Sequence, residues 1–203
     1  VMKYWEWPRQ GVGSFSYYEN DYGMLYADFG NTIYDWDNMI DMPSISSPQV
    51  QQDAVATLMY HCGVSLQMDY SPGASGAFPS THAFNAFFYY DSEIIEKYKS
   101  DYSDQEWIDI LKTELDAGRP MLYCGWDIDG GGHSFICDGY DENDYFHFNW
   151  GWSGYCDGYY AMGALSPGSG GTGSGSGYYN EYNYMLAGVQ PNPPSINAPT
   201  DIT

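Results

Sequence analysis

The sequence predicts an α+β fold, and two observations carry that expectation. Apolar residues recur at helical spacing up to Leu115, whereas from Met121 onward the chain breaks into short aromatic and β-branched runs separated by Gly- and Asp-rich turns. Helices gathered before strands mark an antiparallel sheet with segregated helices, not an alternating βαβ array. The composition agrees, because 19% aromatic residues, with 22 Tyr and 7 Trp, and 24 Gly favour sheet and loop over a helical bundle.

Taken in order, residues 1–7 read as the last turns of a helix stopped by Pro8, a helix whose beginning lies before Val1. Residues 9–45 read as loops with a strand or two. Ser47-Pro48 opens a clear helix, with Ser as N-cap and Pro in the first turn. Val55, Leu58, Met59 and Cys62 follow at helical spacing, Gly63 ends the helix, and residues 64–67 read as a short strand before a turn at MDYSPG. Ser80 caps a second helix with Phe84, Phe87 and Phe88 on one face. Ser103 with Glu106 forms a capping box for a third, whose apolar side is Trp107, Ile110, Leu111 and Leu115, and Gly118 terminates it. Strands are then predicted at Met121–Gly125, His133–Asp138, Tyr145–Trp150, Tyr155–Met162 and Tyr184–Gln190, with a Gly/Ser-rich loop at 167–178. This gives one domain over residues 1–191 and a Pro-rich linker at 192–203 leading to a further C-terminal region.

Charge excludes some functions. The formal net charge is −21 with only 6 Lys and Arg, so nucleic acid is not an expected partner, because phosphate contacts need cations. The acidity itself reads as a solubility device. No apolar run approaches the roughly 18 residues of a membrane-spanning helix, so no membrane insertion is expected. The four Cys (62, 124, 137 and 156) form no CxxC pair, which argues against a structural zinc site. Asp127-Ile128-Asp129-Gly130 reads as an acidic turn because the later ligands of a calcium loop are missing. No metal and no cofactor is expected.

Among chemistry-bearing residues, His133 stands out. It follows three glycines at the start of an apolar run, and Asn149-Trp150-Gly151 ends the next one. Asn149 is placed to hold one ring nitrogen and direct the other toward a thiol, and Trp150 to shield that pair from water. His147 shares a strand face with Asn149 and reads as a packing or hydrogen-bonding residue rather than a second active-site histidine. His61 and His82 fall in helices and read as structural. None of the four Cys has the surroundings of a nucleophile, which are a helix N-terminus and a nearby imidazole. Cys62 lies at a helix C-terminus, and the others lie on strands. Cys137 shares a strand with His133 but stands about 13 Å from it by strand rise.

These residues sit within a wider pattern. The chain opens on VMKYWEWP, which resembles the end of the segment GCVATAxAQ(I/V)MKYxxYP of the streptopain family of bacterial cysteine peptidases. Residues 54–70 followed by Ser71-Pro72-Gly73 are similar to that family's AV..LM..VG.S..MDYGPSSG. Gly132-His133-Ser134-Phe135 resembles GHAF, residues 145–154 resemble YFHxNWGWGG, residues 157–160 resemble DGYF, and Leu165-Ser166-Pro167 resembles ALNP. The resemblance implies a papain-like cysteine peptidase fold, with a helical half and an antiparallel β-sheet half enclosing a cleft. It implies a cysteine endopeptidase with His133 as base and acid, Asn149 orienting it and Trp150 shielding the pair. Met68–Ser75, with Ser71 and Ser75 foremost, and Gly131 and Gly132 would flank the substrate groove. The nucleophilic Cys would lie about eight residues before Val1, so this chain alone would be inactive. Partners would be protein or peptide substrates and a propeptide, and the localisation secreted or at the cell surface. Two other readings stay open: a non-catalytic peptidase-fold module binding peptide or glycan, and a structural adhesin domain.

Overall fold

The computed structural model describes residues 1–128, 130–168 and 177–192. Asp129 of the acidic turn, residues 169–176 of the Gly/Ser-rich loop and residues 193–203 of the Pro-rich tail lie outside the described residues. Among the described residues there are four α-helices: α1 (Met2–Trp5), α2 (Gln49–Ser65), α3 (Thr81–Phe88) and α4 (Asp104–Asp116), besides two single 3-10 turns at Trp36–Asn38 and Lys99–Asp101. A hairpin, β1 (Ser14–Glu19) with β2 (Gly23–Asp28), stands apart from the main sheet. That sheet has six antiparallel strands: β3 (Ile95–Tyr98), β4 (Met121–Trp126), β5 (Gly132–Tyr140), β6 (Tyr145–Asn149), β7 (Gly158–Ala161) and β8 (Glu181–Ala187), in the order β3-β8-β4-β5-β6-β7.

The sheet is covered on both faces. Met121 and Tyr123 of β4, Met185 of β8, Phe135 and Cys137 of β5 and Phe146 and Phe148 of β6 pack with Trp107 and Leu111 of α4. The alternate residues Leu122 and Leu186 face the other way, into a second core with Met2, Ala54, Val64 and Phe88 from α1, α2 and α3. Side chains alternate across a strand, so the central strands are apolar at nearly every position. This is why 185–187 and 121–124 read as continuous apolar runs.

Local chemistry explains most helix ends. The capping box at α4 forms as expected: the Glu106 amide donates to Ser103 Oγ (3.3 Å) and the Ser103 amide to Glu106 Oε2 (2.8 Å). Elsewhere the structure departs from expectation. Ser47 and Ser80 make no side-chain cap bond to α2 or α3; Ser47 Oγ instead accepts from the Ser44 amide. Gly63 does not end α2, and 64–67 is not a strand. The helix continues to Ser65, and its end is closed by Met68 N donating to the Gly63 carbonyl (3.0 Å) with Gln67 left-handed (φ 51°). Gly63 is required for space rather than for termination, since a Cβ there would overlap the Tyr70 hydroxyl.

The remaining differences are of length. Helix α1 ends at a left-handed Glu6, ahead of Pro8. Strand β3 was not anticipated because Ile-Glu-Lys-Tyr has little apolar character and pairs only at the sheet edge, with β8. Strand β7 starts later than predicted because Cys156 takes φ 64° and turns the chain, and β8 runs earlier, from Glu181 to Ala187. All four Cys are free thiols.

One buried ion pair ties α4 to the sheet. Arg119 forks onto Glu114 (Nε–Oε2 2.8 Å, Nη2–Oε1 3.0 Å), and Glu114 Oε2 also accepts from the Gly188 amide (2.8 Å) at the end of β8. Burial acts to raise the Glu114 pKa, but the bonds from Arg119 and Gly188 outweigh it and hold it below the ordinary value. A depressed carboxylate contributes stability that is present above the unfolded pKa of about 4.3 and is lost as pH falls through the folded one. Arg119→Gln is therefore expected to cost about 3 kcal/mol in urea unfolding at pH 7, by leaving a buried carboxylate unpaired, with the deficit shrinking as Glu114 protonates in acid. Glu114→Gln, which keeps an acceptor for Gly188, is expected to cost less; equal losses would contradict this account.

Candidate active site

His133 occupies the second position of β5, opposite Gly125 of β4. It lies in the same facial row as Phe135 and Cys137, and its ring closes an aromatic cluster. Trp152 stacks on it (centroids 5.1 Å apart, planes 21°), with Tyr179 at 5.4 Å and Phe135 at 5.8 Å. Its Nε2 lies 2.8 Å from the Trp150 carbonyl oxygen. A carbonyl only accepts, so Nε2 carries the proton and Nδ1 carries the lone pair. The ring is thus held in one tautomer and one orientation by backbone. Burial among the aromatic rings disfavours the imidazolium and lowers the His133 pKa, partly offset by the Trp150 carbonyl.

The expected partners are distributed differently. Asn149 does not hydrogen-bond His133; its Oδ1 accepts from the Gly151 amide (2.9 Å), and the residue is exposed. The reason is strand parity. Asn149 pairs with Ile136, and directly opposed residues share a face. Ile136 is three residues from His133 and therefore on the opposite face of β5. Trp150 contributes its carbonyl, while its buried indole packs on Phe135 (4.4 Å), Phe148, Trp152, Tyr160 and Tyr179 rather than over the histidine. The ring that shields His133 is Trp152. Trp152 is brought there by the turn that follows β6, in which Gly151 takes φ 74°. The Trp150 amide is itself fixed by Asp157 Oδ1 (2.9 Å).

His147, on the Asn149 face, bonds Asp138 (Nδ1–Oδ1 2.5 Å) and meets Tyr159 edge-on. His61 is buried and bonded to the Tyr34 hydroxyl (2.9 Å). Both are structural, as the sequence indicates. Three of the four thiols are unlike nucleophiles: burial pushes Cys62 up to about 12 and also raises Cys124 and Cys137.

A cleft of about 450 Å³ opens beside His133, lined by Gln67, Asp69, Gly76, Phe78, Trp126 and Gly132 among others. Of the four expected groove residues, Gly132 lines it. Its glycine identity follows from the Trp126 indole, which lies where a Cβ would be (2.5 Å from Cε2). Ser71, Ser75 and Gly131 do not line it. Ser71 closes its own exposed loop by accepting from the Ala74 amide (3.2 Å), Ser75 is exposed in that loop, and the Gly131 carbonyl accepts from Asp127 N (3.3 Å). Asp69, within the expected segment Met68–Ser75, lines the cleft, whereas Gln67 and Trp126 carry no local pattern that separates a cleft wall from a loop.

A papain-like cysteine peptidase architecture is what this sheet, its covering helices and the edge histidine constitute, and solved structures agree. Interpain A cysteine protease of Prevotella intermedia superposes with a TM-score of 0.84 at 34% identity, covering 93% of this chain and 79% of that one. A prointerpain A fragment gives a TM-score of 0.77 at 34% identity, over 95% of this chain and 61% of that one. The chain belongs to the peptidase C10 family, whose model matches residues 1–160. Streptopain of Streptococcus pyogenes (serotype M28) is 34% identical over 94% of this chain and 50% of its own length. The thiol protease/hemagglutinin PrtT of Porphyromonas gingivalis is 33% identical over 94% of this chain and 22% of its own. The chain thus spans half or less of these curated relatives.

The His133 geometry has a measurable consequence. The imidazole C–H shifts of His133 are expected to titrate below the ordinary 6.5, and Trp152→Ala, which opens the ring to water, to move the midpoint back up. A histidine lowered on folding lets the unfolded chain bind the extra proton. Stability is therefore expected to be full above about pH 6.5 and to decline as pH falls through the folded pKa. An NMR titration showing an unshifted midpoint in both proteins would contradict the desolvation account.

Proposed function

We propose that this chain is the greater part of a cysteine endopeptidase domain, with His133 as general base and acid and with the nucleophilic thiol supplied by a residue about eight positions before Val1. The observation that carries the reading is a second groove, about 440 Å³ and largely apolar, that begins at Val1 and Met2 and runs between α2, α3 and the sheet at Leu122 and Ile136. It shares Leu66 and Pro79 with the His133 cleft. Eight further helical residues would extend α1 by about 12 Å. A thiol at the start of that extension would gain from the helix N-terminus and from His133 Nδ1.

In this mechanism the thiol proton passes to Nδ1, giving a thiolate–imidazolium pair. The thiolate adds to the scissile carbonyl, and the C–N bond breaks as His133 protonates the leaving amine. His133 then deprotonates a water that cleaves the thioester and regenerates the thiol. The Trp150 carbonyl holds the ring, stabilises its cationic form and fixes which nitrogen reacts, while Trp152 excludes water from one face. In this assignment Asn149 acts only by bracing the turn at Gly151. The substrates are proteins or peptides. Secretion and synthesis with a propeptide are part of the proposal, supported by the family and by the solved prointerpain fragment.

The test is a thiol-reactive epoxide applied to the full-length protein. A single adduct on a cysteine upstream of Val1, none on Cys62, Cys124, Cys137 or Cys156, and loss of both adduct and proteolysis in His133→Ala are expected. Protein that stays unlabelled yet binds peptide supports the non-catalytic module instead. His133→Ala is expected to lower kcat/KM by about 10³-fold or more, and Asn149→Ala by less than about tenfold. A larger Asn149 effect would return the orienting role to its side chain.

A further inference from the structure

A larger groove, about 1030 Å³, continues from the cleft and shares four of its walls: Phe78, Pro79, Trp126 and Tyr184. Four rings form a stacked ladder along it. Phe78 lies on Trp126 (6.3 Å, 19°), Trp126 on Tyr184 (5.9 Å, 28°) and Tyr184 on Tyr98 (5.5 Å, 28°). Phe78 is largely open to solvent and Tyr98 about half open. Strand order sets the direction, since the ladder crosses from β4 through β8 to β3, away from β5 and His133.

Two carboxylates stand beside the ladder. Glu96 and Glu181 line the groove, and Glu96 is braced by the Tyr98 hydroxyl (2.7 Å). The lining cation, Lys99, is paired with Asp104. Asn183 also lines the groove and has a buried Oδ1 with no hydrogen-bond partner among the described residues. The exposed rings at the two ends of the ladder, Phe78 and Tyr98, flanked by carboxylates, match a guanidinium, which stacks flat on rings, donates through five N–H groups and accepts nothing. The chain's net charge of −21 favours such a partner.

We infer that this groove is a distal subsite of the cleft that receives an arginine side chain of an extended polypeptide substrate. The inference rests on the peptidase reading of the cleft. From β5 to β3 is three strand spacings, about 14 Å, and an extended chain advances about 3.3 Å per residue, so the arginine stands about four residues from the scissile bond.

Binding to the full-length protein, with hydrolysis blocked by His133→Ala, tests the subsite without requiring catalysis. End-capped alanine-based octapeptides carrying one arginine at successive positions are compared by calorimetry with the same peptides carrying citrulline, which keeps the shape and removes the charge. The best-placed arginine peptide is expected to bind about tenfold or more tighter than its citrulline twin at 50 mM salt. The preference should weaken at 500 mM salt and fall below about threefold in Glu96→Gln/Glu181→Gln. Equal binding of the twins, a preference that survives in the double variant, or no binding of either peptide overturns the proposal. Cleavage by the full-length protein is scored separately. Hydrolysis with no arginine preference removes the subsite and leaves the peptidase, whereas arginine-selective binding without hydrolysis does the reverse.

Discussion

Burial of both faces of one antiparallel sheet is the constraint from which the rest follows. Strands β4 and β8 send alternate side chains into two different cores: Met121, Tyr123 and Met185 toward α4, Leu122 and Leu186 toward α1, α2 and α3. A one-residue slip would exchange the two sets and put side chains of the wrong size and shape into both cores. Register is therefore set from both sides. Because β5 pairs with β4 at Gly125–His133 and with β6 at Ile136–Asn149, that same register decides which side chains meet at the strand ends.

The histidine's surroundings are a product of this parity. His133, Phe135 and Cys137 share one face with Phe148 and Trp150, so the ring is delivered into an aromatic cluster that already exists for packing reasons. Its orientation comes from a main-chain carbonyl that the hairpin itself presents. Backbone is a stiffer support than a side-chain amide, because it has no rotamers to lose. The aromatic surroundings withdraw water and favour the neutral ring, which is the form able to take a proton from a thiol.

The cleft and its extension depend on the same strand ends. Gly132 makes room for the Trp126 indole, and Trp126 in turn is one of three rings, with Phe78 and Tyr184, common to the cleft beside His133 and the ladder running toward Tyr98. Of the expected groove residues outside the cleft lining, Ser71 and Gly131 are engaged in their own loops and Ser75 is exposed. The buried Glu114–Arg119 pair anchors α4 behind this arrangement and fixes the end of β8 through Gly188.

Much of this was legible in the chain itself. Helical and strand-like periodicities gave the α+β order, Ser103 and Glu106 announced the start of α4, and the pattern around His133 with NWGW marked the site, because these signals are local and rest on spacing. What the sequence could not decide was long-range. Gly63 reads as a helix stop, yet it is a contact with Tyr70 seven residues on. Ile-Glu-Lys-Tyr becomes a strand only because β8 offers an edge. Asn149 reads as the partner of His133 until the register places it on the far face and brings the Trp150 carbonyl and the Trp152 ring instead. The sequence by itself determined which residues were available for chemistry; tertiary structure decided which of them meet, because pairing register and two-sided burial are properties of the sheet and not of any single strand.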